Sequence, residues 1–164
     1  MSREMLRAIL KNDLTKLDLL LAEGGDIKEL TENEKWNYLH RALLSITMSP
    51  SDDTIKALIK LGLNVNAIDV YGNTPIHYAC RLKRPDLVKL LVEAGANVNI
   101  VNLEGVSPLR QLLLSKPFDY LSMKILINAG ADIHQTAING LSVRELAKTI
   151  ANGDEELLAI FDNQ

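Results

Sequence analysis

The pattern of apolar and polar residues along the chain predicts pairs of short helices. The clearest pair lies in residues 69–101, which read DVYGNTPIHYACRLKRPDLVKLLVEAGANVNIV. Its first helix should open at Thr74 and Pro75, because a threonine oxygen caps a helix well and proline suits the first turn. A break at Pro85 starts the second helix. Gly95 should end it, since glycine readily takes the left-handed conformation that follows a helix.

This unit recurs along the chain. Gly72 is followed by Gly105 after 33 residues and by Gly140 after a further 35. A second series of glycines has spacings of 38, 33 and 35 residues and consists of Gly24, Gly62, Gly95 and Gly130. One helix pair cannot bury its own apolar faces, so the copies are expected to stack side by side as a solenoid.

The repeated unit resembles the ankyrin-repeat family. The resemblance rests on TPIHYA at residues 74–79, with Asp69 and Gly72 before it and AGANVN at residues 94–99 after it. It implies an all-α ankyrin-repeat solenoid of about five helix-turn-helix repeats with short hairpin loops. In this register a single domain fills residues 1–164, with repeats at approximately 1–31, 32–68, 69–101, 102–136 and 137–164. The polar first and last copies are expected to act as soluble caps.

Two copies depart from the length of the third. The second has four extra residues near positions 45–53, and the fourth has two extra near positions 115–122. Both extensions are expected between the two helices of their repeat. Because insertions in solenoids often lie on the binding face, these extensions are one candidate partner surface.

Composition and charge exclude several classes of function. The net charge is −3, which argues against nucleic-acid binding because such interfaces are basic. The single cysteine, Cys80, cannot form an internal disulfide, which fits a reducing compartment. No stretch has the length of a transmembrane span, and residues 1–13 lack the apolar core of a signal peptide. We therefore expect a cytoplasmic protein that does not contact a membrane and is a monomer when free.

Residues that could carry catalysis or bind a metal are few. His40 and His77 hold equivalent motif positions, and the resemblance implies a structural role for them, bonding backbone at the repeat junction. His77 and Cys80 stand three residues apart, but no second pair with zinc spacing is present. Cys80 falls on an apolar helix face and should be a buried thiol. No glycine motif for phosphate binding occurs, so we expect no enzyme activity, cofactor or metal.

The resemblance places partner binding on the hairpin tips and first helices, along the concave side of the solenoid. Most candidate residues are apolar, and the aromatic ones are typical interface anchors. They are Glu34 and Trp36 in the second repeat, Val70, Tyr71, Asn73 and Arg81 in the third, Leu103, Glu104 and Val106 in the fourth, and Ile138 and Leu141 in the fifth.

A packing role is the alternative for several of these side chains. Trp36, the only tryptophan, could instead pack on the neighbouring repeat, since a lone tryptophan is often largely buried. Hairpin-to-hairpin packing is the corresponding alternative for Val70, Leu103 and Val106. Arg81 and Arg110 could pair with acidic groups of a partner, but each taken alone is better interpreted as a solvated charge.

The expected function is non-catalytic binding of another protein. The chain resembles small stand-alone ankyrin proteins of bacteria, some of which are immunity proteins. That resemblance implies an inhibitor that covers the active site of a cognate toxin. Acidic residues at the tips, Glu32 and Glu34, favour a toxin domain with a basic cleft. The alternatives are a regulatory or scaffold ankyrin protein, eukaryotic or host-directed, and an enzyme with a site assembled across repeats.

Overall fold

The computed structural model describes residues 1–45, 50–137 and 140–162, where the regular secondary structure is helical apart from one isolated β-bridge. In these ranges ten helices follow one another in five pairs, joined by turns and loops. The pairs are α1 (Arg3–Leu10) and α2 (Leu14–Ala22), α3 (Tyr38–Leu44) and α4 (Asp52–Lys60), α5 (Pro75–Leu82) and α6 (Pro85–Glu93), α7 (Pro108–Leu113) and α8 (Tyr120–Asn128), and α9 (Val143–Ala151) and α10 (Glu155–Asp162). The predicted all-α solenoid is confirmed.

The helix boundaries follow local signals in the sequence. Pro75, Pro85 and Pro108 each occupy the first turn of a helix, where the missing N–H is not needed. Gly95 follows α6 with φ +86° and closes that helix in the left-handed conformation. These boundaries agree with those predicted for the third repeat.

The helices stack in two layers around one core. The first helices α1, α3, α5, α7 and α9 pack in succession, and so do the second helices from α4 to α10. The core runs without interruption from Met5 in α1 to Phe161 in α10. Each pair therefore buries its apolar faces against its neighbours, as a solenoid requires. Among the described residues, no helix has the length and apolar character needed to cross a bilayer.

The two predicted extensions lie where the chain passes from the first to the second helix of a repeat. In the second repeat, α3 ends at Leu44 and α4 begins at Asp52, so the predicted extension at 45–53 includes two residues of α4; residues 46–49 are outside the described part of the chain. In the fourth repeat, α8 already begins at Tyr120. The predicted extension at 115–122 is therefore too long at its end, because residues 120–122 belong to the first turn of α8.

Candidate partner-binding surface

Neighbouring hairpins are joined at their tips by backbone hydrogen bonds. The N–H of Val70 donates to the carbonyl of Glu34 at 3.1 Å, and the N–H of Leu103 donates to the carbonyl of Tyr71 at 2.9 Å. Gly72 allows the second contact, since its φ is +81° and a Cβ there would lie 2.8 Å from the backbone nitrogen of Leu103. The tips are thus aligned by backbone atoms, and their side chains are not needed for the alignment.

Large apolar side chains stand exposed along these tips. We call Val70, Tyr71 and Leu103 the tip row; they are 45%, 53% and 73% exposed. Leu141, in the next hairpin, is 41% exposed. Scattered exposed apolar residues are ordinary on a protein surface, but a contiguous group beside a groove is typical of an interaction site. All four were predicted partner-binding residues.

A groove with a volume of about 380 Å³ lies between the tip row and the first helices. We call it the central groove. Six predicted partner-binding residues line it together with Leu44, Tyr78 and Asn102; they are Trp36, Tyr71, Asn73, Arg81, Leu103 and Glu104. The structure therefore brings together residues that are far apart in the sequence. A second groove lined by Leu43, Leu44, Tyr78, Arg81 and Leu82 adjoins it along α3 and α5.

Trp36 is held in the wall of the central groove and is only partly exposed. Its indole N–H lies 2.9 Å from Oδ2 of Asp69 and 3.2 Å from the hydroxyl of Tyr78. The guanidinium of Arg41 stacks over the indole ring, 5.4 Å from its centroid. Trp36 therefore packs on the third repeat, as the alternative interpretation proposed, while part of the ring still lines the groove.

Asp69 organises this part of the structure, and its role was missed in the sequence analysis. The side chain is 5% exposed. Its Oδ2 accepts the hydroxyl of Tyr78 at 2.5 Å and the indole N–H of Trp36, while Oδ1 accepts the N–H groups of Tyr71 and Asn73, both at 2.9 Å. Burial alone would raise the pKa of Asp69, but these donors outweigh it, and the pKa lies below its ordinary value.

Tyr78 and Arg81 form the helix side of the groove. Burial and the hydrogen bond to Asp69 raise the pKa of Tyr78 to about 12, so its hydroxyl stays protonated and donates. The guanidinium of Arg81 stacks over the Tyr78 ring, 5.2 Å from its centroid. Arg81 is exposed and makes no ion pair with any described residue. The groove therefore presents an aromatic floor with one unpaired cation at its edge.

Two predicted surface residues are buried. Asn73 is 5% exposed and Val106 is 7% exposed. The expectation that both are surface residues was therefore wrong. The reason is their position at the junction between hairpins. Their carbonyls accept hydrogen bonds from the first helix of the preceding repeat, from His40 and His77 respectively. The packing alternative is the correct one for Val106.

The motif histidines have the structural role that the sequence analysis expected. Nε2 of His77 lies 3.0 Å from the carbonyl of Val106, and Nε2 of His40 lies 3.3 Å from that of Asn73. Because a carbonyl only accepts, the proton is assigned to Nε2, and Nδ1 of His77 accepts the N–H of Thr74. Burial lowers the pKa of His77 to about 4 and also lowers that of His40. Both rings are therefore neutral at pH 7.

Arg110 occupies the motif-histidine position of the fourth repeat. Its Nη1 donates to the carbonyl of Leu141 at 3.0 Å, and the residue is only 9% exposed. The interpretation of Arg110 as a solvated charge was therefore wrong. A guanidinium is long enough and rich enough in N–H groups to replace an imidazole in this bond.

The remaining predicted residues lie at the edges of the surface. Glu34 is partly exposed at the tip of the second hairpin, and Glu104 is exposed at the tip of the fourth. Ile138 lies outside the described residues. Cys80 is a buried thiol as expected, and burial raises its pKa far above the ordinary value. In the described part of the chain, no group of three or more His, Cys, Asp or Glu side chains is placed to hold a metal ion.

Comparison with known proteins agrees with this architecture. The family model described as ankyrin repeats (3 copies) matches residues 5–102, which is more than half of the chain. The chain belongs to the ankyrin-repeat family. Comparison with curated proteins gives no match. Because ankyrin repeats mediate contacts between proteins, the chain is a protein–protein interaction module, and its family is generally non-catalytic.

Proposed function

We propose that the chain is a cytoplasmic bacterial immunity protein. It binds a cognate toxin domain through the tip row and the central groove, covers the active site of the toxin and performs no catalysis itself. The observation that carries the binding surface is the exposure of the tip row, above all of Leu103 at 73%. Contiguous exposed apolar groups mark interaction sites, and a few aromatic and arginine side chains supply most of the binding energy in protein complexes. The immunity role itself rests on the resemblance to small bacterial ankyrin proteins.

The charges around the groove refine the surface that such a toxin would present. Glu34 and Glu104 lie at the tips, whereas Arg41 and Arg81 lie on the helix side. A uniformly basic cleft would therefore meet cations as it closed over the helices, and like charges in contact oppose binding. We propose a mixed surface, with the basic residues of the toxin facing the tips.

Co-expression with a toxin-like protein encoded next to this chain tests the immunity role. The wild-type chain should restore growth of cells that produce the toxin, and the two should co-purify as one stable complex. Leu103→Asp should weaken both effects, because it places a charge in the apolar contact. Leu121→Asp is the matched control, since Leu121 is 57% exposed on α8, away from the tips.

The outcomes separate the candidate functions. A stable complex without growth rescue would contradict the immunity role and favour a regulatory or scaffold protein. Loss of rescue in Leu121→Asp but not in Leu103→Asp would show that the binding surface is elsewhere. Light scattering of the purified chain, which should give the mass of a monomer, checks the expected state of the unbound protein.

A further inference from the structure

The polar atoms of two aromatic side chains in the central groove are used in hydrogen bonds within the protein. The indole N–H of Trp36 and the hydroxyl of Tyr78 both point at the Asp69 carboxylate. That carboxylate receives two further backbone N–H bonds, so its hydrogen-bonding capacity is largely used within the hairpin. The groove therefore offers ring carbon from these two residues, which favours an apolar guest.

Two hydrogen-bond donors in the same groove are not used. The guanidinium of Arg81 has no acid partner among the described residues. Asn73 is only 5% exposed, and its Oδ1 accepts a hydrogen bond from Nδ2 of Asn102 at 2.9 Å. Its own Nδ2 donates to no described residue. A nearly buried amide that keeps an unused donor in a groove is suited to receive an acceptor from a ligand.

We propose that the central groove receives an apolar side chain of the partner together with a neighbouring carboxylate, from Asp or Glu. The apolar side chain packs between Tyr71, Leu103 and Leu44. The carboxylate pairs with Arg81 and accepts Nδ2 of Asn73. This inference rests on the proposed protein-binding function and adds to it the chemistry of the segment that is bound.

The charges of the groove favour a carboxylate over a more highly charged group. Glu104 lines the same groove as Arg81, so the groove carries one unpaired cation and one exposed anion. A carboxylate beside Arg81 adds a single negative charge, which the guanidinium can offset directly. A doubly charged phosphate would leave an excess of negative charge beside Glu104 and Asp69. The bound segment should therefore carry its acid on the α5 side and a neutral or basic residue on the tip side.

Selection of peptides from a random displayed library on the immobilised wild-type chain tests this inference. The selected peptides should share an apolar residue next to Asp or Glu. Affinities of the synthetic peptides are then measured by titration calorimetry. Arg81→Glu should weaken binding by about ten-fold or more, because a favourable charge pair becomes a repulsive one. Replacing the acid of the peptide by Lys should restore affinity for the Arg81→Glu chain.

Two further variants control the comparison. Arg3→Glu makes the same change of charge on an exposed arginine of α1, outside the groove, and should leave the affinity unchanged. Asn73→Asp places an acid against the peptide carboxylate and should weaken binding in the same direction as Arg81→Glu.

Other outcomes would overturn the inference in distinguishable ways. Peptides that ignore Arg81→Glu but are lost in Val70→Asp, at the tip-row residue that does not line the central groove, would mean that the tips bind without the groove, and the proposed function would survive. Selection of basic peptides alone, or of none, would contradict the proposed guest. If the toxin in addition fails to bind the wild-type chain, the proposed function fails as well.

Discussion

The third and fourth repeats share the backbone hydrogen bonds of their hairpin tips but differ at two corresponding side chains of the hairpin and first helix. Asp69 and Asn102 hold the same place in successive hairpins, and Oδ1 of each accepts two backbone N–H groups of its own tip. The other terminal atom of each side chain, Oδ2 of Asp69 and Nδ2 of Asn102, has a different role. Asp69 accepts Trp36 and Tyr78, whereas Asn102 donates to Asn73. The hairpin is therefore generic, and the aromatic groove is a particular property of the third repeat.

The same two repeats differ in how they bond to the next hairpin. His77 bonds to the carbonyl of Val106 as a neutral ring, and Arg110 bonds to the carbonyl of Leu141 as a permanent cation. Of these two side chains, only the histidine gains a proton in the acid range, with a pKa of about 4 in the folded chain against an ordinary 6.5. One junction should therefore be sensitive to acid while the next is not, although their geometry is alike.

Removal of the two hairpin side chains should give the largest difference between these repeats. Asp69→Ala should lower the free energy of unfolding by about 4 kcal/mol, because it leaves several buried donors without an acceptor. Asn102→Ala should lower it by about 2 kcal/mol, since fewer groups lose their partner. Urea unfolding followed by circular dichroism measures both. Equal losses would mean that the bonds to Trp36 and Tyr78 add nothing to stability.

Acid should destabilise the protein mainly through its histidine junctions. The folded chain keeps the pKa of His77 at about 4, below the ordinary 6.5, so the unfolded chain binds more protons between these values. Above pH 6.5 the titration of His77 leaves the free energy of unfolding unchanged. As the pH falls below 6.5 the free energy of unfolding decreases, by about 3 kcal/mol at pH 4. Asp69, whose pKa is lowered, adds a loss only below its ordinary value of 3.8.

Unfolding curves recorded across this pH range check the prediction. His77→Gln should be less stable at pH 7 but should show a shallower loss of stability between pH 6.5 and 4, because one titrating group is absent. Arg110→Gln should be destabilised by the same amount at every pH in this range. A slope unchanged by His77→Gln would contradict the assignment.

Substitution of two glycines in the third repeat should reveal the close contact with the fourth. Gly72 and Gly95 have similar φ values of +81° and +86°, so alanine is strained at both, at about 1 kcal/mol. Only at Gly72 would the new Cβ meet backbone, 2.9 Å from Cα of Asn102. Gly72→Ala should therefore cost about 2 kcal/mol more than Gly95→Ala in the same unfolding assay. Similar costs would mean that the tips move apart easily.

The smallest effect is expected from one hydroxyl group. Tyr78→Phe removes the bond to Asp69 and the longer contact from the indole N–H of Trp36, which keeps Asp69 as its acceptor. It should lower the free energy of unfolding by about 1 kcal/mol. Tyr71→Phe is the matched control, because the exposed Tyr71 hydroxyl has no partner among the described residues. It should change stability by less than about 0.5 kcal/mol. A comparable loss in both variants would show that the Asp69 bond is not the cause.

The fold could be predicted from the sequence because its signals are local and repeated. Pro75 and Gly95 mark the ends of helices through their own backbone preferences, which hold in any context. The predicted end of the fourth-repeat extension, at residue 122, was wrong. Residues 120–122 join α8 because Asp119 caps that helix by accepting the N–H of Ser122, a signal that the comparison of repeat lengths ignored.

The site was harder to predict because exposure depends on contacts between repeats. Register placed Trp36 and Asn73 at the tips but could not show that Asp69 and His40 bind them from other repeats. Arg110 could have been assigned correctly, since it aligns with His77 at a position already interpreted as structural. Asp69 also had a signal, because Asn102 follows it by one repeat length of 33 residues.

At three repeat junctions, the bond from the motif-histidine position ends on a backbone carbonyl. The accepting residues are Asn73, Val106 and Leu141, which have little in common chemically. Any residue in that place would supply the same oxygen. A repeat can therefore be duplicated, exchanged or diversified at its tip without losing its attachment to the preceding one. Tip side chains that decide binding specificity can therefore change while this hydrogen bond between repeats is kept.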